Sequence, residues 1–377
     1  MRFKKSISYF TLLFVVLIST FLVWFPFLTR QENFLGLKIA DSNFQYVYRH
    51  FDGPLYIIPA KTLYNTKKIE SINRDSILSQ DPKYFSAHLP LYPLFIRGAS
   101  VFFGYLKSMI GVTLLFSIAS ALLFYFILHE LNLTKKPLIL TLVFIFLPRF
   151  LVVRSVGSPE PLFLFLIMIS LYFFEKEKYL FSGIAGALSV MTKTPGLLLF
   201  GAYGLVISER ILRTKKITPS WIWLILIPLG FLSVCILYAI QMNDFLAYFH
   251  SGDNIHLIAP FAVFNFQKTW VGTAWLEDVL FYFFLYGVTV YQLAKNKHRS
   301  FFYFSLIYWV AILFVEHRDI SRYSLPLWPM ALIAFEHFFT SKKFIVISGL
   351  LLAGIYVYVW NFIIYNGMPI TEWLPFL

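Results

Sequence analysis

A chain of 377 residues that is 59% hydrophobic, 20% aromatic and only 14% charged, with a mean hydropathy of +0.70, lies outside the composition of soluble globular domains. Its formal net charge is +13, but the lysines and arginines occupy short gaps between long apolar runs, which argues against a nucleic-acid surface and reads as a set of membrane topology signals. The single cysteine, Cys235, sits inside an apolar run, so no disulfide framework is available.

The chain opens on Met1-Arg2-Phe3-Lys4-Lys5 and then runs from 6 to 29 without a charge. That run is 24 residues long and no small-x-small cleavage site follows it, so an uncleaved signal anchor is expected. Segments 108–128, 217–243 and 344–371 are equally free of charge, and each reaches the roughly 20 apolar residues that a membrane helix needs. The gaps at 2–5, 135–136, 176–178, 210–216, 295–299 and 342–343 hold half of all lysines and arginines and are assigned to the cytoplasm. Gaps 155–161, 192–196, 242–277 and 316–323 and the C-terminal tail are assigned outside.

This alternation predicts an all-α polytopic membrane protein, one integral domain over 1–377, with a cytoplasmic N-terminus in a plasma membrane. Its spans lie near 6–28, 108–129, 137–154, 159–174, 179–192, 195–208, 219–241, 277–294, 300–315, 323–340 and 344–365. Residues 29–107 form a first external loop and 242–276 a second. The apolar stretch 88–106 would invert the later signals if it crossed, so a juxtamembrane or re-entrant helix is expected there. Spans 159–174, 179–192 and 195–208 are short for about 30 Å of hydrocarbon, which implies that their outer ends, 155–161 and 192–196, line a water-filled cavity open to the outside.

Four places carry candidate chemistry. In the first external loop, Phe44, Val47, Tyr48, Phe51 and Leu55 recur at helical spacing, so an amphipathic helix is expected on the membrane surface, interrupted by Asp52-Gly53-Pro54. Asp52 reads either as an N-cap before Pro54 or as a carboxylate presented to a ligand, a suitable place for a general base; Asp41 has the same ambiguity. Ser158 and Glu160 read as caps of an outer helix end or as polar lining. Lys193 interrupts an apolar stretch and must reach water, a counter-ion or an interfacial phosphate. In "EHRDISRY" (316–323), Arg318 and Arg322 are four apart, and on one helix face they would suit a phosphate, unless the segment is a solvated turn. His250, Asp253 and His256 have a loosely metal-like spacing, but no further ligand lies nearby and no metal site is assigned.

The motifs "FDGPLYIIPAKTLY" (51–64), "LPLYP" (89–93), "SPEPLFLF" (158–165), "GALSVMTKTPG" (186–196) and "RYSLPLWP" (322–329), in this order, resemble the GT-C superfamily of membrane glycosyltransferases. The nearest likeness is to bacterial relatives of the phosphatidylinositol-glycan class V mannosyltransferases. Phe51 stands where that pattern has Trp, His88-Leu89 replaces paired aromatics, and Lys193 replaces a more usual Arg.

The resemblance implies transfer of mannose or a similar hexose from a polyprenyl-phosphate donor to a lipid, glycan or protein acceptor outside the membrane, with no metal or other cofactor. It maps the base onto Asp52 and the donor-phosphate contacts onto Lys193 and Arg322, with Arg318 or Arg154 as auxiliaries. The substrate pocket is expected to include Asp41, Tyr56, His88, Glu160, Asp319 and Tyr323. A secondary transporter or a flippase for lipid-linked sugars is the alternative that shares this hydropathy, although the internal symmetry common in transporters is not visible.

Overall fold

A computed structural model describes residues 2–39, 43–50, 52–73, 80–252, 257–271, 276–370 and 372–377, with only the backbone of 2–5 and 73. Among them the chain is almost wholly helical; the one strand pair is the hairpin of Asn33–Phe34 with Leu37–Lys38. The principal helices are α1 (Arg2–Leu28), α2 (Leu91–Phe103), α3 (Tyr105–Glu130), α4 (Pro137–Ile145), α5 (Pro148–Arg154), α6 (Glu160–Glu175), α7 (Tyr179–Val190) and α8 (Leu198–Thr214). They continue with α9 (Leu226–Met242), α10 (Glu277–Leu293), α11 (Arg299–Leu313), α12 (Trp328–Ala334) and α13 (Lys342–Tyr365).

Five helical segments are long and apolar enough to cross a membrane: Ser6–Leu28, Tyr105–Glu130, Thr194–Thr214, Pro219–Met242 and Lys342–Tyr365. The bent pair α4 and α5 makes a sixth if it counts as one span. Their outward faces keep Phe10 and Phe14 of α1, Ile240 of α9 and Leu350 and Leu351 of α13 exposed, together with Phe281 and Phe284 of the shorter α10. Contiguous exposed apolar faces of this extent suit lipid and not water. This is a helical membrane protein.

Helices α7 and α9 approach closely because small residues face each other. A Cβ on Gly230 of α9 would stand 2.7 Å from the carbonyl oxygen of Ala187, and one on Gly183 2.2 Å from that of Trp223, in the turn just before α9. Such small-residue contacts let backbones come together where lipid supplies no hydrophobic drive between helices.

The polar gaps collect at two ends of the bundle. At one end Thr134 Oγ1 donates to Glu336 at 2.8 Å and Lys136 Nζ to the Thr340 carbonyl at 3.0 Å. There too Glu175 pairs with His298 at 2.7 Å, Arg210 donates to Tyr179 at 2.7 Å, and Arg299 pairs with Glu209 at 2.9 Å. These contacts join residues in or beside gaps that the charge pattern groups on one side. The segments around 52, 158, 193 and 319 gather at the other end.

Three expectations change. Span 137–154 is not straight: α4 and α5 are bent by 69°. Pro148 lacks the N–H that would continue the ladder, and its ring disfavours a helical residue before it; Leu147 accordingly has φ −56°, ψ 127°. Span 323–340 is likewise a series of short helical pieces, Ile320–Tyr323, Leu325–Leu327, α12 and Glu336–Phe339, with Pro326 and Pro329 among them. The segment expected as the first external loop holds, among the described residues, several short helices and not one amphipathic helix broken only at Asp52-Gly53-Pro54. It folds into Gln45–Tyr48, Pro54–Tyr56, Ile57–Thr62 and Thr66–Asn73, with Val47, Leu55 and Ile57 buried in a second apolar cluster shared with α2 and α13.

Segment 88–106 contains α2, which ends at Gly104 (φ +72°), where the chain turns back so that Phe95 meets Phe116 of α3 at 5.0 Å. Its 13 residues span about 20 Å at 1.5 Å each, less than the hydrocarbon thickness. Val101, Phe102 and Phe103 are exposed at its end, an apolar tip of the kind a juxtamembrane helix presents to lipid.

Candidate functional site

A cavity of about 670 Å³ opens at the end where those segments meet. Its walls include Asp52, Tyr56, His88, Ser158, Lys193, Arg318, Asp319, Arg322 and Tyr323, so residues as far apart in sequence as Asp52 and Arg322, 270 positions, share one chamber.

Each wall has a local cause. The Asp52-Gly53 turn lies on the backbone of Gly157, where a Cβ on Gly53 would come within 3.0 Å of the Gly157 carbonyl oxygen; glycine lets the turn sit down. The 155–160 turn is fixed from the other side, because Ser158 N donates to Tyr92 Oη at 3.0 Å and to Thr113 Oγ1 at 3.1 Å. Lys193 follows the end of α7 in an extended conformation, and the Leu91 amide donates to the Met191 carbonyl at 3.0 Å, tying "LPLYP" to the lysine turn. Both short-span ends, 155–161 and 192–196, therefore contribute to the cavity wall, through Val156 to Ser158 and Thr192 to Thr194.

The centre is an ion network. Arg322 Nε and Lys193 Nζ both donate to Glu160 Oε1, each at 2.6 Å, and Arg322 Nη1 donates to Asp52 Oδ2. Ser158 Oγ donates to the other Glu160 oxygen. The Glu160 side chain is only 3% exposed, and two cations share it. Neither carboxylate accepts from a helix-start amide among the described residues: Asp52 Oδ2 and Glu160 Oε1 meet the cations, and the other Glu160 oxygen meets Ser158. Burial works to raise the Asp52 carboxyl, but the Arg322 guanidinium beside it prevails and holds it below the ordinary carboxylate range.

Tyr56 packs edge-on against His88 at 4.8 Å, and the Lys193 ammonium lies 5.7 Å from the Tyr323 ring centroid. Burial pushes both His88 and His50 down to about 4, so both are neutral at ordinary pH.

Some expected residues do not join this centre. Arg154 does not line the cavity: it is fully buried, with Nη2 donating to Ser19 Oγ at 2.7 Å, and it anchors α5 to α1. Arg318 and Arg322 do not share a helix face, since the short helix begins at Ile320 and leaves Arg318 exposed at the cavity mouth. Asp41 lies outside the described residues, as do Asp253 and His256. His250 bonds Asp244 at 2.8 Å, and no metal-binding cluster occurs among the described residues.

Among the cavity residues that the sequence does not single out are His50 and Arg149. His50 lines the wall, with its ring stacked 5.5 Å from Phe362 of α13. Arg149 donates from Nε to Ser321 Oγ at 2.9 Å and from Nη2 to Asp319 Oδ1. An arginine inside the apolar span 137–154 was a visible signal, the same one that singled out Lys193. Compared with known protein families and with curated proteins, the sequence matches none.

Proposed function

We propose that the protein is a GT-C-like glycosyltransferase that moves a hexose, mannose or similar, from a polyprenyl-phosphate donor to an acceptor hydroxyl on the outer face of the membrane. The observation that carries this reading is the joining of Asp52, Lys193 and Arg322 on one cavity, a candidate base beside two cations that the buried Glu160 holds together from behind the wall. In this mechanism the donor phosphate lies against Lys193 and Arg322. Asp52 accepts the acceptor's proton as its oxygen bonds to the anomeric carbon. The bond from that carbon to the phosphate oxygen breaks, and the electron pair stays on the phosphate, where the cations stabilise it.

Arg322 has a double part. With the cavity empty it neutralises Asp52, and a weakly basic carboxylate is a poor proton acceptor. An arriving phosphate competes for the guanidinium, loosens its hold on Asp52, and so raises the basicity of the base when the donor is present. Glu160 keeps both cations in place throughout.

The same reading takes the chain across the bilayer about eleven times, with the cavity outside. It is supported by the gathering of the basic gaps at the end of the bundle opposite the cavity. A reporter fused after Lys216 is expected in the cytoplasm and one after Leu377 outside; a cytoplasmic C-terminus would reject the count. The function is tested by incubating purified protein in nanodiscs with radiolabelled polyprenyl-phosphate hexoses and membrane extract. Appearance of a labelled product with release of polyprenyl phosphate supports transfer. Translocation of intact donor without release would move the assignment to a flippase.

A further inference from the structure

We propose that Arg149, with Arg318, forms a second anion-binding subsite in the cavity, and that the acceptor carries an anionic group, a phosphodiester or phosphomonoester, close to the hydroxyl it presents. This deepens the glycosyltransferase reading and rests on it for the word acceptor; the subsite itself does not.

The argument starts from what holds Arg149. Its guanidinium lies 4.4 Å from the centroid of Phe362, with Nε committed to Ser321 and Nη2 to Asp319. The side chain is 10% exposed, and the residue lines the cavity. Nη1 has no partner among the described residues. A planar fork fixed on two nitrogens and stacked on a ring has lost its rotamer freedom before any ligand arrives, which is how an arginine is prepared for an oxyanion. Arg318 lines the same wall, exposed and without a carboxylate partner among the described residues.

Placement separates this pair from the donor cations. Lys193 and Arg322 are bound together through Glu160, whereas Arg149 is bound through Asp319 and Ser321. The candidate base is bonded to the first centre, and His50, two residues before it, lies against Phe362, the ring that carries the second. One centre suits the leaving phosphate, and the other suits an anion on the molecule that delivers the hydroxyl.

The test uses the full-length protein in detergent, titrated with glycerol 1-phosphate and, separately, with short-chain phosphatidylglycerol, followed by phosphorus NMR. Two anion equivalents per chain are expected for the unaltered protein. Arg149→Gln should lose one of them, weakening it by about ten- to hundredfold, while Lys193→Ala loses the other. Asp319→Asn should act in the opposite direction and tighten the Arg149 equivalent, because it frees Nη2; a merely structural ion pair would not invert in this way. Preference for the lipid probe assigns a headgroup, and preference for the soluble probe assigns a free phosphorylated glycan. A single equivalent that Arg149→Gln leaves unchanged, in protein with normal thermal stability, overturns the subsite. Since no sugar transfer is measured, this failure is distinct from failure of the glycosyltransferase reading, which would appear as two intact anion sites and no turnover.

Discussion

The two ends of the helix bundle treat charge differently. Away from the cavity, Glu209 receives Arg299 at 2.9 Å and Arg213 at 2.6 Å, and the Arg213 side chain is 73% exposed. These pairs clip neighbouring loops together where water still screens them. At the cavity, Glu160 is 3% exposed and Asp52 22%, and both are tied to the same arginine. Buried pairs are poor stabilisers, because desolvation consumes most of the attraction, yet removing one partner strands the other. A protein built only to stand would have little use for the second arrangement. Glu175 with His298 is a buried pair at the opposite end too, but among the described residues only at the cavity do one arginine and one lysine share buried and half-buried carboxylates, which is why the proposed chemistry is placed there.

The comparison breaks most sharply at Asp52. Asp52→Asn keeps the size of the side chain and removes proton acceptance, so turnover should fall by about 10²–10⁴-fold with the fold retained. Glu175→Gln, at the other end, should leave turnover near the unaltered rate although it removes the partner of His298. Equal loss in the two variants, with matched thermal stability, would dissolve the distinction between the ends. Next in size is Glu160→Gln. It leaves Lys193 and Arg322 side by side without their shared carboxylate, and stranding buried charges typically costs about 3–5 kcal/mol. Thermal unfolding in detergent should register that loss, and added phosphate should restore part of it by replacing the missing anion.

Acidification separates the ends in a third way. His50 and His88 are held at about 4 by burial, against 6.5 for a free histidine. Between those values the unfolded chain binds protons that the native cavity refuses, so stability falls as pH drops from 6.5 toward 4. The slope is at most about 1.4 kcal/mol per pH unit for each histidine. His317, also held low chiefly by burial, adds to the same trend. Asp52 contributes only below its ordinary value of 3.8, outside this window. Replacing His50 and His88 together with Gln should flatten the melting profile from pH 6.5 to 4.5; an unchanged profile would mean that these rings are solvated.

Much of this contrast was legible in the sequence, because topology signals are local. Basic gaps such as 210–216 and 295–299 identify themselves, and the structure brings them together. Lys193 and Glu160 stand out as charges beside apolar runs, Asp52 through the Asp52-Gly53-Pro54 turn, and Arg322 through its spacing from Arg318 and the motif resemblance. What stayed hidden depends on distant partners. The ion pair of Arg149 with Asp319 joins positions 170 apart, and no spacing rule announces it. The 69° bend before Pro148 was hidden by hydropathy, since α4 and α5 read as one apolar run although the proline breaks it. Arg154 misled for a related reason: an arginine at a helix end looks the same whether it faces a cavity or, as here, the flank of α1.

The smallest expected effect belongs to the exposed rim of the quiet end. Arg213 and Glu209 are four apart on α8, and Glu209 also holds Arg299, whose side chain is 25% exposed. An i,i+4 pair in water contributes about 0.3–0.5 kcal/mol, and salt screens it. Arg213→Ala should therefore shift thermal unfolding barely, and its effect should vanish in high salt. Arg299→Ala should cost more, since that guanidinium also packs 4.6 Å from the Phe302 ring centroid and donates to the Ala294 carbonyl. A double-mutant cycle between Arg213 and Arg299 reads whether the two share Glu209 or compete for it. Competition predicts that the double variant costs more than the sum of the two singles, because Glu209 keeps one cation until both are gone. Strict additivity in that cycle would show that Glu209 treats them as independent neighbours. The opposite end would then be a set of separate surface pairs with no coupling among them, unlike Glu160, where loss of either cation is expected to be felt by the other.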